Sequence, residues 1–390
     1  MGIGAIFILF ALLQVLGMGG LTIETGEILR FPEGDRVEQA VLMDHLARYR
    51  IVLVGETHDD PGHHVLQEQI VRSMAERGGE LALAMEMFPR SQQTSLDRWS
   101  AGKLGEVDFL DAVTWYFTWG FDAELYLPIL RLAREYRIPV VAMNIDRAIV
   151  SQVRTQGLDS LDAEVRKTLP VLAEALPEYR ERLQEVFDSH PMMAKDGSLA
   201  NFIDAQRLWD GVMAQALFDW LRQHPQGRVV ALAGSGHLLM KHGIAHQLAA
   251  MGLENDTVTL LPWDGAENPV PWQAADFVWG TPTPILSEPM PRLGVGLESA
   301  PQGGIVITEI TPDSPAQKAG LKKGDQPLSL DGHPLPNPHT LVRMLRSQKR
   351  NPRPTLTFIR DREKQSLTLA LDEKTKVHEP ATMEETNPSR

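Results

Sequence analysis

Four short apolar runs, Ile51–Val54, Leu81–Met85, Val140–Met143 and Val229–Leu232, punctuate the first two thirds of the chain. Longer stretches between them carry apolar residues at helical spacing. That alternation predicts a parallel-type sheet flanked by helices, an α/β fold, because each strand must return to the same edge through a crossover. Thr257–Leu261 offers a fifth strand. The clearest helix follows Asp60: Pro61 suits a first turn, Leu66, Ile70 and Met74 recur every four residues, and Gly78 and Gly79 close it. Ser151 to Gln223 is periodic and poor in strand signals, and so predicts a helical insertion over one side of the sheet.

Each apolar run ends in a polar side chain. Glu56, His58 and Asp59 follow the first, Glu86 the second, Asn144 and Asp146 the third, and Ser235 and His237 the fourth. In an open parallel sheet the strand carboxyl ends border a crevice, so four distant segments aim chemistry at one rim. Two of them have the form G-x-x-H (Gly55–His58 and Gly234–His237), where glycine lets the chain turn sharply and bring the imidazole over the rim. Glu56, His58, Glu86 and His237 could together hold a divalent metal; taken singly, such residues cap helices or bond loop amides. No H-E-x-x-H occurs. His63 and His64 open the helix after the first motif, beside His58. His242 and His246, spaced i, i+4, fit an exposed helix face better than a metal clamp.

The charge balance narrows the function. Among 390 residues, 51 acidic and 38 basic side chains give a net charge of −13, which argues against a phosphate-binding nucleic-acid surface. There is no cysteine, so disulfides, thiolate metal sites and Cys nucleophiles are excluded. Residues 1–23 carry no charge, and Ile6–Leu16 is densely apolar. That length fits a signal peptide or short membrane anchor, and the expectation is an exported protein, periplasmic or held at the membrane. Trp115 to Phe121 is aromatic beyond the needs of one helix or strand, with Tyr126 and Pro128 just after it. Such a cluster forms core or lines a slot for a flat cofactor, with His or Tyr as axial donor. Met192, Met193 and Met213 fit either use.

From Pro262 to Pro291 seven prolines break regular structure, with Trp263, Trp272 and Trp279 placed to pack on a neighbour. A smaller β-rich unit follows. The boundaries read as a leader over 1–23, a first domain over 24–283, a linker over 284–291, a second domain over 292–372 and a disordered tail over 373–390.

Together GETHDDPGHH, the MEMF around Glu86, the W-x-x-x-W with Tyr126, HPMM, NFIDAQRLWDGVMA and AGSGH resemble the ChaN family of the haem-binding uptake and Tiki superfamily. The resemblance implies a bacterial exported protein tied to haem or iron acquisition, with haem held by Tyr or His in a pocket shared across a homodimer. Tyr126 lies in the best-matching stretch and Tyr116 is second; His58, His63, His64 and His237 complete the candidate donors. The wider superfamily includes metal-dependent hydrolases and proteases, which implies the alternative of Glu56, His58 and His237 activating water; a non-catalytic scaffold is the third reading. The segment Gly304–Gly332 and the preceding RLGVGL are similar to bacterial PDZ domains. That similarity implies capture of a partner's carboxyl terminus by the amides of Leu293, Gly294 and Val295, with Leu341 and Leu345 walling the side-chain pocket. Pro327 departs from the pattern, since it removes one ladder donor.

Overall fold

The computed structural model describes residues 20–190, 197–264, 269–283, 292–300, 303–347 and 351–371. Residues 1–19 of the apolar leader, Met192 and Met193, the 284–291 linker and the 373–390 tail lie outside the described residues, whereas Leu21, which bridges Val270, and the buried Ile23 pack with the first unit. Among the described residues no helix is long and apolar enough to cross a membrane. The chain forms two compact units.

The first unit is built on eight strands: β1 (Ile28–Arg30), β2 (Asp35–Arg36), β3 (Ile51–Val54), β4 (Leu81–Pro89), β5 (Val140–Asn144), β6 (Arg228–Leu232), β7 (Thr257–Asp264) and β8 (Phe277–Thr281). They lie in the order β2-β1-β8-β7-β3-β6-β4-β5. From β8 to β5 every pairing is parallel, while β1 and β2 add antiparallel at one edge. The predicted sheet therefore forms, and gains an antiparallel hairpin from the segment before β3. The stretch from Pro262 also holds more structure than its prolines suggest. Pro262 and Trp263 sit inside β7 and pair with Trp279 and Gly280 of β8. Pro262 lies beyond Leu260, the last residue paired with β3, so no ladder bond toward β3 is lost there.

Strand side chains alternate between two cores. Val52, Val54, Leu83, Met85, Val230 and Leu232 face one cluster. It is closed by helices that include α1 (Gln39–Leu46), α2 (Pro61–Glu76), α3 (Gln93–Ser100), α4 (Glu106–Ala112), α5 (Trp115–Thr118) and α6 (Ala123–Glu135). The insertion is helical as expected: α7 (Arg147–Gln156), α8 (Ala163–Lys167), α9 (Pro177–Asp188) and the 25-residue α10 (Leu199–Gln223). On the opposite face Ala82, Ala84, Ala231 and Ala233 meet Met213, Ala214 and Leu217 of α10, together with α11 (Ile244–Ala250). Alanines there let the long helix sit close on the sheet.

The second unit pairs β9 (Val295–Ser299) with β10 (Ile305–Ile310), and orders β11 (Gln326–Leu330), β12 (His333–Pro334), β13 (Thr355–Arg360) and β14 (Glu363–Thr368) as β12-β11-β13-β14. Two helices join them, α12 (Pro315–Lys318) and α13 (Pro338–Ser347). Pro327 is tolerated because β12 pairs only with Ser329 and Leu330, and a register shift follows Pro327 on the β13 side. Arg360 clamps the buried Asp325 with two hydrogen bonds of 2.7 and 2.6 Å.

Candidate functional site

Local geometry explains how each strand end delivers its residue. Gly55 prolongs the β3 ladder by donating to Leu260, and a Cβ there would stand 2.6 Å from Leu261 Cδ2 and 2.7 Å from Ser235 Oγ. The backbone N–H of Ser235 donates to the Glu56 carbonyl at 2.9 Å, which ties the two G-x-x-H motifs together. In β4, pairing with β6 ends at Met85, and pairing with β5 shifts register between Met85 and Pro89. Glu86 is thereby released toward Gly234, whose N–H donates to Glu86 Oε2 at 2.7 Å. Asn144, at the end of β5, secures that bend by donating to the Glu86 carbonyl.

Two relays of the same wiring result. In the first, Glu56 Oε1 accepts from Tyr126 Oη at 2.6 Å and from His58 Nδ1 at 2.7 Å, while Glu56 Oε2 accepts from Gln67 Nε2 at 2.8 Å. In the second, Asp210 of α10 accepts from Tyr179 Oη on Oδ2 and from His237 Nδ1 on Oδ1, each at 2.7 Å. Glu86 stands between them, with Oε1 3.6 Å from His237 Nε2. A Cβ placed on Gly234 would lie 2.9 Å from His58 Cε1, 3.3 Å from His58 Nε2 and 3.6 Å from Glu86 Oε2. Glycine at 234 thus leaves open the space that His58 and Glu86 face.

The protonation states follow from burial and neighbours. Burial opposes charge on Glu56, but His64, His58 and Tyr126 outweigh it and hold its pKa at about 2. Burial likewise disfavours charge on His58, yet the Glu56 hydrogen bond and charge, with Glu86, raise its pKa above the ordinary value. His237 is also buried and also raised, by Glu86 and Asp210. Both tyrosines stay protonated, because burial and then the partner carboxylate push their pKa values well up. An ionised Glu56 can only accept, so Nδ1 of His58 carries the proton.

The predicted residues divide by exposure. His58 keeps 29% of its side chain exposed, with Trp119 and Phe121 at ring distances of 4.6 and 5.0 Å. Tyr116 is half-buried. His63, His64, Tyr126 and His237 are buried. His63 and His64 stand in the first turn of α2, but both are buried and fold back beneath the motif, away from the solvent that a ligand would come from. His63 Nδ1 accepts from Thr57 N–H, and His64 Nε2 meets the His58 carbonyl. Trp115 and Met213 belong to the core. His242 and His246 do not share an exposed helix face as expected: both are half-buried, His242 precedes α11, and His246 bonds the Glu174 carbonyl.

Among the described residues no three His, Asp or Glu side chains are arranged to hold a metal ion. Glu56, His58, Glu86 and His237 do meet at the rim, but Glu56 spends both oxygens on its relay partners, and His237 and Glu86 are likewise engaged with Asp210 and Gly234. Sequence reasoning passed over Gln67, Tyr179 and Asp210. Their only local signal is that polar residues stand among apolar ones on helices.

In the second unit, Leu293, Leu341 and Leu345 are buried in its core, while Gly294 and Val295 are half-buried. Gly294 has φ +77°, and a Cβ there would meet Ser314 Cβ at 2.2 Å, so only glycine fits. The N–H groups of Leu293 and Gly294 find no acceptor among the described residues. β9 pairs with β10 on one side and with no strand on the other among the described residues. An unpaired edge beside α13, with two open amides at its start, is what an added peptide strand and its carboxylate require.

Comparison with known proteins matches residues 42–248 to the family described as haem-binding uptake, Tiki superfamily, ChaN, and residues 291–371 to the PDZ domain. A structure described as cofacial heme binding to ChaN of Campylobacter jejuni is 18% identical and has a TM-score of 0.53, covering 65% of this chain and 95% of that chain. The HtrA3 PDZ domain bound to a phage-derived ligand is 23% identical over 20% of this chain and 82% of that chain, with a TM-score of 0.19. The HtrA-type protease AlgW with a decapeptide is 22% identical over 20% of this chain and 28% of that chain, also at 0.19. None of the curated proteins matches this chain.

Proposed function

The chain belongs to the ChaN family, and from that premise we propose that it binds haem at the carboxyl rim of its sheet through His58, while its PDZ unit captures the carboxyl terminus of a protein partner. The observation that carries this reading is the state of His58. Of the six candidate donors it combines solvent exposure, a ring nitrogen without a hydrogen-bond partner among the described residues, and aromatic walls. The residues fit the group: Gly234 leaves the ring uncovered, and a side chain there would crowd Nε2.

Each neighbour has a part in that function. Glu56 accepts the hydrogen bond from Nδ1–H, which in the neutral ring leaves the Nε2 lone pair for a ligand bond. Tyr126 and Gln67 fix Glu56, while Trp119 and Phe121 offer apolar contact to a flat ring. Haem held there by His58 would supply an iron centre at the rim. Tyr116 is the other donor of the aromatic segment that reaches solvent. The cofacial heme described for the Campylobacter jejuni relative supports a homodimer in which two such rims face each other. The same reading puts the protein outside the cytoplasm, with Ile6–Leu16 as signal or anchor. A divalent-metal hydrolase draws no support from the paired relays.

Titration of the purified chain with hemin tests this reading. A Soret shift saturating at one haem per chain is expected, lost in His58→Ala and kept in Tyr116→Phe. The reverse pattern would transfer the donor role to Tyr116, and an unshifted spectrum for the native chain would remove the haem reading.

A further inference from the structure

We propose that the PDZ unit selects carboxyl termini carrying a lysine or arginine at the fourth residue from the end, and that Glu298 is the residue that selects them. The preference belongs to the capture groove described above and rests on that reading. Direction comes first. The carbonyls of Leu293 and Gly294 are tied back into the unit, accepting from the N–H groups of Ala316 and Thr311 at 2.9 Å each, while their own N–H groups stay open at the start of β9. A chain whose carboxylate ends on those amides must run along β9 from its far end toward its start, antiparallel to it. Its last residue then lies beside Val295, the one before it beside Gly296, the third from the end beside Leu297 and the fourth beside Glu298.

The pleat decides which way each side chain turns. Val295 and Leu297 pack against the core of the unit, so the last residue of the peptide and the third from its end turn inward with them. Gly296 and Glu298 take the outer face. Glu298 is exposed and makes no hydrogen bond or ion pair among the described residues. A residue directly across an antiparallel pair has its Cβ about 4.5–5.5 Å away, within reach of a long cationic side chain. Glu309 pairs with Gly296 in the β9–β10 register and puts a second carboxylate on the same face; a Cβ on Gly296 would lie 3.0 Å from Glu309 Cβ. Inward, the buried Leu293, Leu341 and Leu345 oppose charge. A cation is therefore favoured at the outward fourth position and opposed at the inward third.

The test is fluorescence anisotropy of the full chain with fluorescein-labelled decapeptides. A peptide ending in Lys-Leu-Ala-Val should bind about threefold more tightly than one ending in Ala-Leu-Ala-Val, and about tenfold more tightly than one ending in Glu-Leu-Ala-Val, the scale of one exposed cross-strand charge pair gained or opposed. Moving the lysine one place, to Leu-Lys-Ala-Val, should lose the gain. That control separates a paired lysine from general attraction of cations to a chain of net charge −13. Glu298→Lys should reverse the order of the lysine and glutamate peptides and keep the affinity for the alanine peptide, while Glu298→Gln should level the order. In roughly 1 M salt, where the Debye length is about 3 Å, most of the preference should vanish. Equal affinity for the lysine and glutamate peptides, a gain retained in Leu-Lys-Ala-Val, or an order unchanged in Glu298→Lys overturns the proposal. If no peptide binds, or a carboxamide end binds as well as a carboxylate, carboxyl-terminal capture itself falls, an outcome distinct from those three.

Discussion

Tyr179 and Asp210 are 31 residues apart in sequence and 2.7 Å apart in space, joined by a hydrogen bond that ties α9 of the helical insertion to the carboxylate holding His237. Both partners are buried. Replacing Tyr179 by Phe leaves Asp210 Oδ2 without that donor, and should cost about 1–3 kcal/mol in urea denaturation. An unchanged urea midpoint would mean that another donor reaches Asp210.

Gly234 has ordinary backbone angles, φ −55° and ψ 135°, so alanine there strains nothing. Its Cβ would nevertheless stand 2.9 Å from His58 Cε1. Gly234→Ala should therefore fold normally yet lower hemin affinity roughly tenfold, a loss of about 1.4 kcal/mol. Unaltered affinity would place the ligand away from His58.

Stability should fall toward acid in two stages. Burial lowers His63 and His242 from 6.5 to about 4, so the stability they contribute is present above pH 6.5 and is lost as pH falls toward 4. Glu56, lowered from 4.5 to about 2, extends the loss from pH 4.5 downward, and a lowering of that size corresponds to about 3 kcal/mol. His58 and His237 are raised; their contribution is present below pH 6.5 and fades as pH climbs through their folded-state values. Urea midpoints measured from pH 8 to 4 should peak near pH 6.5. Replacing His63 with Asn should flatten the limb between pH 6.5 and 4.

In the second unit Gly294→Ala meets both a positive φ and a 2.2 Å approach to Ser314. The cost should exceed about 2 kcal/mol. Binding of carboxyl-terminal peptides, followed by fluorescence anisotropy, should disappear, while hemin titration of the same variant stays native. Loss of both activities would show that the two units depend on each other.

What the sequence made legible was tied to local pattern. Glu56, His58, Glu86 and His237 meet at the rim because each follows an apolar run, and a parallel sheet brings such ends to one edge. Asp60 and Pro61 announced the start of α2, where Asp60 accepts from Gly62 and His63 N–H. Exposure was not legible. His63 and His64 read as candidate donors at the start of a helix, yet the turn packs under its own motif and buries both. Tyr126 looked like a donor to a ligand, but its hydroxyl is consumed by Glu56, 70 residues away. Asp210 and Tyr179 had no motif because their roles arise from the docking of α10 and α9. The β1–β2 hairpin escaped notice because two- and three-residue strands leave no period to read.

The alanine face of the sheet sets a limit on this architecture. With methyl groups at positions 82, 84, 231 and 233, the long helix that carries Asp210 rests almost directly on the strands. A bulkier residue in the middle of a strand would act as a shim. By tilting the helix it would pull the aspartate away from its imidazole, so a change with no polar atom of its own would still rewire the second relay from a distance.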